Sequence, residues 1–459
     1  MTQTPLPCLR LAPQLPAYND IVSYMHASGK PNVAAVMARA DDEGRVLVQP
    51  RVGVGGHDAM LRMLRSIQSE SAPDVLTLTI DSYTRLALFD KAQEVLAIDP
   101  TQLNGYPLVA HGWQAAREID AALLMPLQVR HGSPDGRRLF AECVAAGLTS
   151  FEGGPIGYNI PYCKSVPLQT SLAAWREVDD LVGLLAADGV IVEREMFGSL
   201  TGVLVPPSVA LSCVLLEAIL ACHSGCLSVS LSMSQGGHFV QDVAMLRAAR
   251  QLCSEYLPPQ VRAHVVLHQF MGVFPLQREA ADAIIFVGGL LGTLGGATKI
   301  ITKTYQEALG RPDADANASG VRLTRAGIAN PFKLSVDGNV DLQEEEEQIL
   351  REVREIVDPV LQSADLTEGI CAAFSSGRLD VPFPASSAAH GKVIPVRDKS
   401  GAIRYASTGA LPFSKSVKIS ARCLRDFSRE SAKVADEVRE SIFYLSNLSK
   451  SVSEANVRY

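Results

Sequence analysis

The sequence lacks several features that would assign it to a common protein class. It has no apolar run of membrane-spanning length, and its N-terminal segment is too polar and proline-rich for a signal peptide. A formal net charge of −7 argues against nucleic acid as the main ligand. Nine cysteines without a repeating spacing argue against a disulfide scaffold and indicate reduced thiols in a cytoplasm. We therefore expect a soluble cytoplasmic protein whose partners are small molecules or other proteins.

Nucleotide-binding signatures are also missing. No stretch matches a P-loop, and the glycine-rich segments at 53–56 and 288–297 do not have the spacing of a dinucleotide-binding loop. These glycines are more typical of close packing between elements.

Short apolar runs that favour β-strands alternate with longer helix-patterned stretches. Repeated strand and helix units predict a parallel sheet, which is either open or closed. The segment 241–257 repeats apolar residues about once per helical turn, which predicts a helix outside this sheet. The predicted strands cover residues 46–50, 75–81, 107–112, 126–132, 148–154, 189–195, 227–234, 265–270 and 297–303.

Polar residues gather where these strands end. Arg51, the pair Arg130 and His131, Glu152 and His268 each follow an apolar run. In a (β/α) barrel the carboxyl ends of the strands form the active-site rim, whereas an open doubly wound sheet offers one crevice. Polar residues at so many strand ends favour the barrel.

The composition changes after about residue 335. Glu344 to Glu347 open a charged segment that runs to Pro359, and a polar, helix-patterned tail ends at Tyr459. We expect the acidic run to be a solvated helix N-terminus, where carboxylates suit the helix dipole. The sequence thus predicts a barrel catalytic domain with an N-terminal segment over residues 1–335. An α+β extension packed on the barrel would cover residues 336–459.

Three arginines, Arg51, Arg85 and Arg130, each come just after a predicted strand. Guanidinium groups grip carboxylates through two parallel hydrogen bonds, so three converging arginines suit a dicarboxylic substrate. The spacing alone is equally compatible with three unrelated surface arginines.

Carboxylates and lysines at other strand ends leave the chemistry open. Glu152 and Glu195 could each accept a hydrogen bond from an ammonium group or act as a base. Lys299, Lys303 and Glu307 are expected along one rim, and a lysine there could form a Schiff base. The residues by themselves do not choose between these roles.

Long blocks of the sequence resemble the large E subunits of the glutamate mutase family, also called methylaspartate mutase. The resemblance extends from about residue 46 to about residue 398. The blocks that carry it are VQPRVGV, LTIDSYTR, LNGYPLVAHG, PLQVRHGSPD, TSFEGGPIGYNIPY, LTGVLVPPS, HQFMGVFP, GGATKIITKTYQEA and LDVPFPASSAAHGKVIPVRD.

This resemblance implies a (β/α) barrel that forms a homodimer and binds a small cobalamin-binding S subunit over its rim, giving a heterotetramer. The family interconverts L-glutamate and threo-3-methylaspartate with adenosylcobalamin, by radical fragmentation and recombination. The S subunits of this class ligate cobalt through the histidine of a D-x-H-x-x-G loop. This chain contains no D-x-H triplet, so the resemblance implies that the partner supplies the cobalt ligand and that this chain has no metal site.

The resemblance also implies roles for individual residues. Arg51, Arg85 and Arg130 match the family's substrate-gripping arginines, and Glu152 matches the carboxylate that holds the substrate amine. Tyr158 and Tyr162 match its substrate-site tyrosines. Of these, Glu152, Arg85 and Arg130 are our candidate catalytic residues. Positions on the cofactor side of the pocket match Thr79, Asn104, Glu195, Phe197, His268, Met271, Gly272, Lys299, Lys303 and Glu307.

Three stretches depart from the family pattern: Pro155 and Gly157 in the loop after Glu152, the run SMSQGGHFVQD at 232–242, and REMFGSLTG at 194–202. These departures leave open a related cobalamin-dependent mutase that acts on another amino acid. Separately, the lysines leave open a Schiff-base barrel lyase that uses Lys299 or Lys303. A third alternative is a binding barrel without catalysis.

Overall fold

The computed structural model describes residues 7–12, 14–130, 132–198, 204–420 and 431–447. Eight parallel strands form one sheet in the order β1-β8-β7-β6-β5-β4-β3-β2. The strands are β1 Leu47–Pro50, β2 Leu76–Thr79, β3 Leu127–Arg130, β4 Ser150–Glu152, β5 Glu193–Phe197, β6 Ser228–Ser234, β7 Arg262–His268 and β8 Lys299–Thr302.

The sheet curves until its first and last strands meet. The amide of Asp74 donates to the carbonyl of Val48 over 3.0 Å, and the amide of Thr79 donates to the carbonyl of Val52 over 2.8 Å. These bonds join the two ends of the ladder, and helices surround the closed sheet. The prediction of a (β/α) barrel is confirmed.

Helices follow most strands and cover the outside of the barrel. No helix among the described residues is long and apolar enough to cross a membrane. The α-helices are α1 Pro7–Arg10, α2 Tyr18–Ala27, α3 Val33–Asp42, α4 His57–Ser71, α5 Ser82–Arg85, α6 Phe89–Ile98, α7 Leu108–Ala121, α8 Arg137–Ala146, α9 Leu168–Ala187, α10 Pro207–His223, α11 Phe239–Tyr256, α12 Arg278–Leu294, α13 Ala314–Ile328, α14 Val340–Leu361, α15 Leu366–Ser376, α16 Lys415–Ser420 and α17 Ser431–Ile442.

The alternation of side chains along β6 shows how the sequence builds the barrel. Val229, Leu231 and Met233 are buried on one face, where they join the main apolar core. The serines between them occupy the other face, and Ser230 donates a hydrogen bond to Glu193 inside the barrel. Because successive strand residues point to opposite faces, the alternating serines of β6 all point into the barrel. Their small side chains leave room there for longer charged side chains.

The strand predicted at 107–112 is wrong. An isolated bridge between Ile80 and Tyr106 lies just before this segment, and α7 begins at Leu108. Gly112, at φ 81°, interrupts the helix with a kink. A short apolar run followed by glycine is compatible with either element, and here it starts a helix that packs on α8.

The strand predicted at 189–195 is displaced. Val190 and Val192 are buried, but β5 begins at Glu193 and continues to Phe197. Glu195 therefore lies inside the strand and not after it. We expected Glu195 to follow the end of the strand, whereas Glu193 and Glu195 both lie within β5 and point into the barrel.

The C-terminal segment adds α14 to α17 and an antiparallel hairpin formed by β9 Val393–Arg397 and β10 Ile403–Thr408. The acidic run lies in the first half of α14, which packs on α10 and α11. It is not wholly solvated, because Glu345 accepts hydrogen bonds from Gln241 and Arg404, each over 2.6 Å. The domain boundary between residues 335 and 336 stays a prediction.

Candidate active site

Two strands bring pairs of polar side chains into the barrel interior. Gln128 and Arg130 alternate on β3, and Glu193 and Glu195 alternate on β5, so each pair shares the inward face. All four side chains are buried, with at most 1% of their surface exposed. The centre of the barrel is thus charged rather than apolar.

Arg130, the last residue of β3, contacts four polar side chains. Its Nη1 donates to Glu195 Oε1 over 2.8 Å and to Gln128 Oε1 over 2.7 Å. Its Nη2 donates to His268 Nε2 over 2.7 Å and lies 3.8 Å from Glu152 Oε2. A guanidinium has several donors in one plane, so it holds the ends of β3, β4, β5 and β7 in a single arrangement.

Glu195 is the central anion. Its Oε2 accepts a hydrogen bond from Lys299 Nζ over 2.9 Å, while its Oε1 faces Arg130. Burial alone would raise the pKa of Glu195, but Arg130 and Lys299 outweigh burial and hold that pKa well below its usual range. Lys299 begins β8 and is fully buried, so the structure places it inside the barrel and not on the rim, where we expected it.

Glu152 ends β4 and receives a hydrogen bond from the loop that follows. The hydroxyl of Tyr158 lies 2.7 Å from Glu152 Oε1 and 3.0 Å from Oε2. Burial first, and then the adjacent carboxylate, raise the pKa of Tyr158 well above its usual value. Tyr158 therefore stays protonated and acts as a donor toward Glu152.

An aromatic wall connects this loop to the far side of the barrel. The rings of Tyr162 and Tyr158 are 6.0 Å apart, Tyr158 stacks on Phe197 at 5.7 Å, and Phe197 meets the edge of His268 at 5.1 Å. Tyr162 is about half exposed, so the wall reaches from the solvent at the rim to the buried centre.

Arg51 follows β1, and Arg85 ends the short helix α5 after β2. The side chain of Asp81 accepts hydrogen bonds from two amides of α5 and so fixes the turn that carries Arg85. Burial and Glu152 raise the pKa of the Tyr162 phenol overall, although the charges of Arg85 and Arg51 oppose this change. Both arginines therefore lie within electrostatic range of the Tyr162 phenol.

Lys303 and Glu307 complete the rim on the side of β8. Their side chains form an ion pair of 2.7 Å, and Arg51 lies within electrostatic range of both. Burial lowers the pKa of Lys303, with Glu307 opposing that change. In Glu307, burial raises the pKa, but Lys303 and Arg51 outweigh it and lower that pKa overall.

Four other predicted positions lie around this centre. Thr79 ends β2, and its buried hydroxyl has no hydrogen-bond partner among the described residues. Asn104 accepts a hydrogen bond from the amide of Ser82, at the start of α5. Met271 and Gly272 lie in the loop after β7, where the Ser234 hydroxyl contacts the Met271 sulfur over 3.5 Å. His131 and residues 199–202 of the departing stretch at 194–202 lie outside the described residues.

Sequence reasoning missed two members of the buried network. Gln128 donates to Glu195 over 2.9 Å, and Glu193 accepts a hydrogen bond from Gln128 over 3.2 Å. The signal was present, because each lies two residues before a predicted site residue on the same strand and must share its face. The sequence pattern drew attention only to the residue of each pair nearer the strand end, Arg130 or Glu195.

The interior and rim contain more cationic than anionic side chains. Five cationic groups and four carboxyl groups converge, which leaves one positive charge for a ligand to balance. The groups are Arg51, Arg85, Arg130, Lys299 and Lys303, with Glu152, Glu193, Glu195 and Glu307.

An eight-stranded (β/α) barrel with such a cluster at the carboxyl ends of its strands defines a barrel enzyme whose site accepts an anionic small molecule. Comparison with known proteins identifies the family to which the chain belongs. The family model described as methylaspartate mutase E chain matches residues 29–443. The chain belongs to that family and is an isomerase of the mutase type.

The similarity to individual relatives covers most of each chain. The glutamate mutase epsilon subunit of Halobacterium salinarum is 42% identical over 411 residues, which cover 87% of this chain and 85% of the relative. The epsilon subunit of Haloarcula marismortui is 43% identical over 392 residues, which cover 84% of this chain and 80% of the relative. That of Desulfitobacterium hafniense is 40% identical over 427 residues, with 90% and 87% covered.

Proposed function

We propose that this chain is the catalytic subunit of an adenosylcobalamin-dependent mutase that interconverts L-glutamate and threo-3-methylaspartate. The relatives bear the name glutamate mutase epsilon subunit. The observation that carries the proposal is the site in which Arg130 lies 3.8 Å from Glu152, while Arg51 and Arg85 lie within electrostatic range of Tyr162.

The charge of this cluster matches glutamate. Glutamate has two carboxylates and one ammonium group, so it needs several fixed cations and one anion. Arg51, Arg85 and Arg130 would hold the carboxylates, and Glu152 would accept a hydrogen bond from the ammonium group. Tyr158 and Tyr162 would close the loop side of the same pocket.

Buried polar atoms at the ends of β2 and β7 fit an adenosyl group and define the proposed cofactor side of the site. The Thr79 hydroxyl and His268 Nδ1 are buried and have no hydrogen-bond partner among the described residues. Ribose hydroxyls and adenine nitrogens can satisfy such atoms, which otherwise cost free energy. Phe197, Lys303 and Glu307 complete this side, and Asn104, Glu195, Met271, Gly272 and Lys299 are the remaining residues that we propose for it.

The rim is suited to being covered by another chain. Leu86, Leu276 and Leu309 lie in loops after β2, β7 and β8, and 58%, 70% and 66% of their surfaces are exposed. Exposed apolar groups around a site typically mark an interface. We propose that a small cobalamin-binding subunit covers them and supplies the cobalt ligand, because this chain contains no D-x-H triplet. A heterotetramer with two copies of this chain completes the proposal.

The chain's own residues would orient and protect the reacting groups. The radical chemistry of a carbon-skeleton rearrangement is supplied by adenosylcobalamin when it is bound. The arginines would keep two carboxylate-bearing fragments apart and aligned, which is catalysis by positioning. The aromatic wall from Tyr162 to Phe197 would exclude water from the centre. The eight described cysteines are free thiols, which supports a cytoplasmic enzyme.

The test is an anaerobic assay with all components purified separately. This chain is mixed with a cognate small subunit, adenosylcobalamin and L-glutamate, and 3-methylaspartate is quantified by chromatography. We expect product only when every component is present. An assembled complex that binds the cofactor but yields no 3-methylaspartate from L-glutamate would contradict the proposed substrate, while membership of the family would stand.

A further inference from the structure

A buried carboxylate outside the candidate site holds the loop between β4 and α9. Glu217 lies on α10 within the apolar stretch CVLLEAIL and is 1% exposed. Its Oε1 accepts hydrogen bonds from the amide of Ile156 over 2.6 Å and from the amide of Gly157 over 2.9 Å. Glu217 Oε2 has no hydrogen-bond partner among the described residues.

The two amides need an acceptor because of how the loop folds. The loop makes helix-like bonds from Tyr158 N to the carbonyl of Gly154 over 3.2 Å and from Ile160 N to the carbonyl of Ile156 over 3.0 Å. The first amides of such a turn have no carbonyl four residues upstream that can accept from them. Glu217, sixty residues further along the chain, supplies that acceptor.

The loop is clamped on two sides. A Cβ atom on Gly154 would lie 2.6 Å from Glu217 Oε2, and one on Gly157 would lie 2.5 Å from the carbonyl oxygen of Phe197. Glycine at these two positions lets the backbone pass between α10 and the end of β5. A side chain at either position would force the loop, Glu217 or the end of β5 to shift.

The clamped residues lead directly into the candidate site. Tyr158 follows Gly157, donates to Glu152 and stacks on Phe197. A change in the direction of the backbone at Ile156 would therefore move the hydroxyl that orients Glu152. None of the roles assigned above involves Glu217.

We propose that Glu217 is a positioning residue that sets the substrate loop and, through Tyr158, the orientation of Glu152. The proposal rests on the proposed function for the roles of Tyr158 and Glu152. One oxygen accepts both amide hydrogens, so a neutral amide side chain at position 217 can do the same. An apolar side chain leaves two buried amides without an acceptor.

The experiment compares Glu217→Gln and Glu217→Met in the complex assembled with the small subunit and adenosylcobalamin. Glu352→Met is the matched control, because Glu352, in the C-terminal extension, is another buried carboxylate, and it accepts hydrogen bonds from Gln348 and from Ser208 of α10. We expect Glu217→Met to raise KM for L-glutamate about tenfold, as two lost backbone bonds imply. Glu217→Gln should stay close to wild type, and Glu352→Met should lower the thermal midpoint without changing KM.

Hydrogen exchange of the peptide spanning residues 152–163 gives a readout that does not depend on turnover. Faster exchange at residues 156–158 in Glu217→Met, and not in Glu217→Gln or Glu352→Met, supports the proposal even if the chain converts a different amino acid. Unchanged exchange together with an unchanged KM would overturn it. If Glu217→Met does not fold, Gly154→Ala probes the same contact from the loop side and should raise exchange and KM alike.

Discussion

The guanidinium of Arg130 donates a hydrogen bond from Nη2 to Nε2 of His268 over 2.7 Å. Arginine has no acceptor, so His268 Nε2 must present its lone pair and the ring proton must lie on Nδ1. Burial, followed by the charge of Arg130, lowers the pKa of His268 to about 3. The imidazole is therefore neutral and its protonated Nδ1 is available to a ligand.

His268 should remain neutral across the whole working range of pH. Nitrogen-15 NMR of the histidine side chains is expected to show one neutral ring with the proton on Nδ1 from pH 5 to pH 9. His26, which is exposed and contacts the carbonyl of Asp188, serves as a reference in the same spectra. A His268 signal that titrates above pH 5 would show that Arg130 does not donate to it.

Removing the charge of Glu195 should destabilise the barrel. Glu195→Gln leaves Arg130 and Lys299 buried without their shared carboxylate, and breaking a buried ion pair in this way costs about 3 to 5 kcal/mol. We expect a clearly lower thermal midpoint in unfolding followed by circular dichroism. The double variant with Lys299→Met removes one uncompensated charge and should recover part of the loss. Equal midpoints for wild type and Glu195→Gln would contradict this view of the charged interior.

The lysines should not form a Schiff base. Lys299 pairs with Glu195 over 2.9 Å and Lys303 pairs with Glu307 over 2.7 Å, so each amine is already engaged by a carboxylate. Borohydride reduction of the complex in the presence of the 2-oxo dicarboxylate corresponding to L-glutamate, whose ketone could condense with a lysine, is expected to leave the mass of the chain unchanged. A covalent adduct mapped to either lysine would instead support the lyase alternative.

Stability should depend on pH through Glu352. Burial raises the pKa of this carboxyl from 4.5 to about 7, although hydrogen bonds from Gln348 and Ser208 oppose the change. Glu345 and Arg404 are the charged groups that face it. Since the folded chain holds the proton more tightly than the unfolded chain, this contribution is complete below about pH 4.5 and is lost as pH rises through about 7.

The matching variant is Glu352→Gln, which does not titrate. Between pH 5 and pH 8, wild type should lose about 3 kcal/mol of stability relative to the variant, which corresponds to the raised pKa. Denaturant unfolding of both proteins at each pH gives the difference directly. Parallel pH profiles would show that the carboxyl is ionised at both pH values.

Much of the fold and of the rim could be predicted because apolar runs end in charged residues. Arg130 and Glu152 each close a short β-rich run, so their place at the carboxyl end of a strand follows from the sequence. Glu195 could not be placed in the same way. It lies in the buried run EREMF, where charges fill the barrel interior and the hydrophobic pattern gives no strand signal.

Long-range contacts explain the other differences. The segment 107–112 reads equally well as a strand or as the start of a helix, and only its packing on α8 decides. Glu217 stands alone in an apolar helix, which indicates a buried carboxylate but not its partner. The partner lies in the loop at 154–157, and that pairing depends on how α10 docks against the barrel.

The most direct test of the substrate assignment compares site variants in the complete anaerobic system. Arg130→Lys keeps the charge but loses the planar fork, and Glu152→Gln removes the anion that would face the ammonium group. Arg404→Lys, in the C-terminal extension, is the control for an arginine that pairs with Glu345 away from the site.

We expect wild type and Arg404→Lys to form 3-methylaspartate from L-glutamate at similar rates. Arg130→Lys and Glu152→Gln should lower kcat/KM about 100-fold, equivalent to about 2.7 kcal/mol of transition-state stabilisation. Activity at the wild-type level in both Arg130→Lys and Glu152→Gln would contradict the account. So would a wild-type complex that makes no 3-methylaspartate.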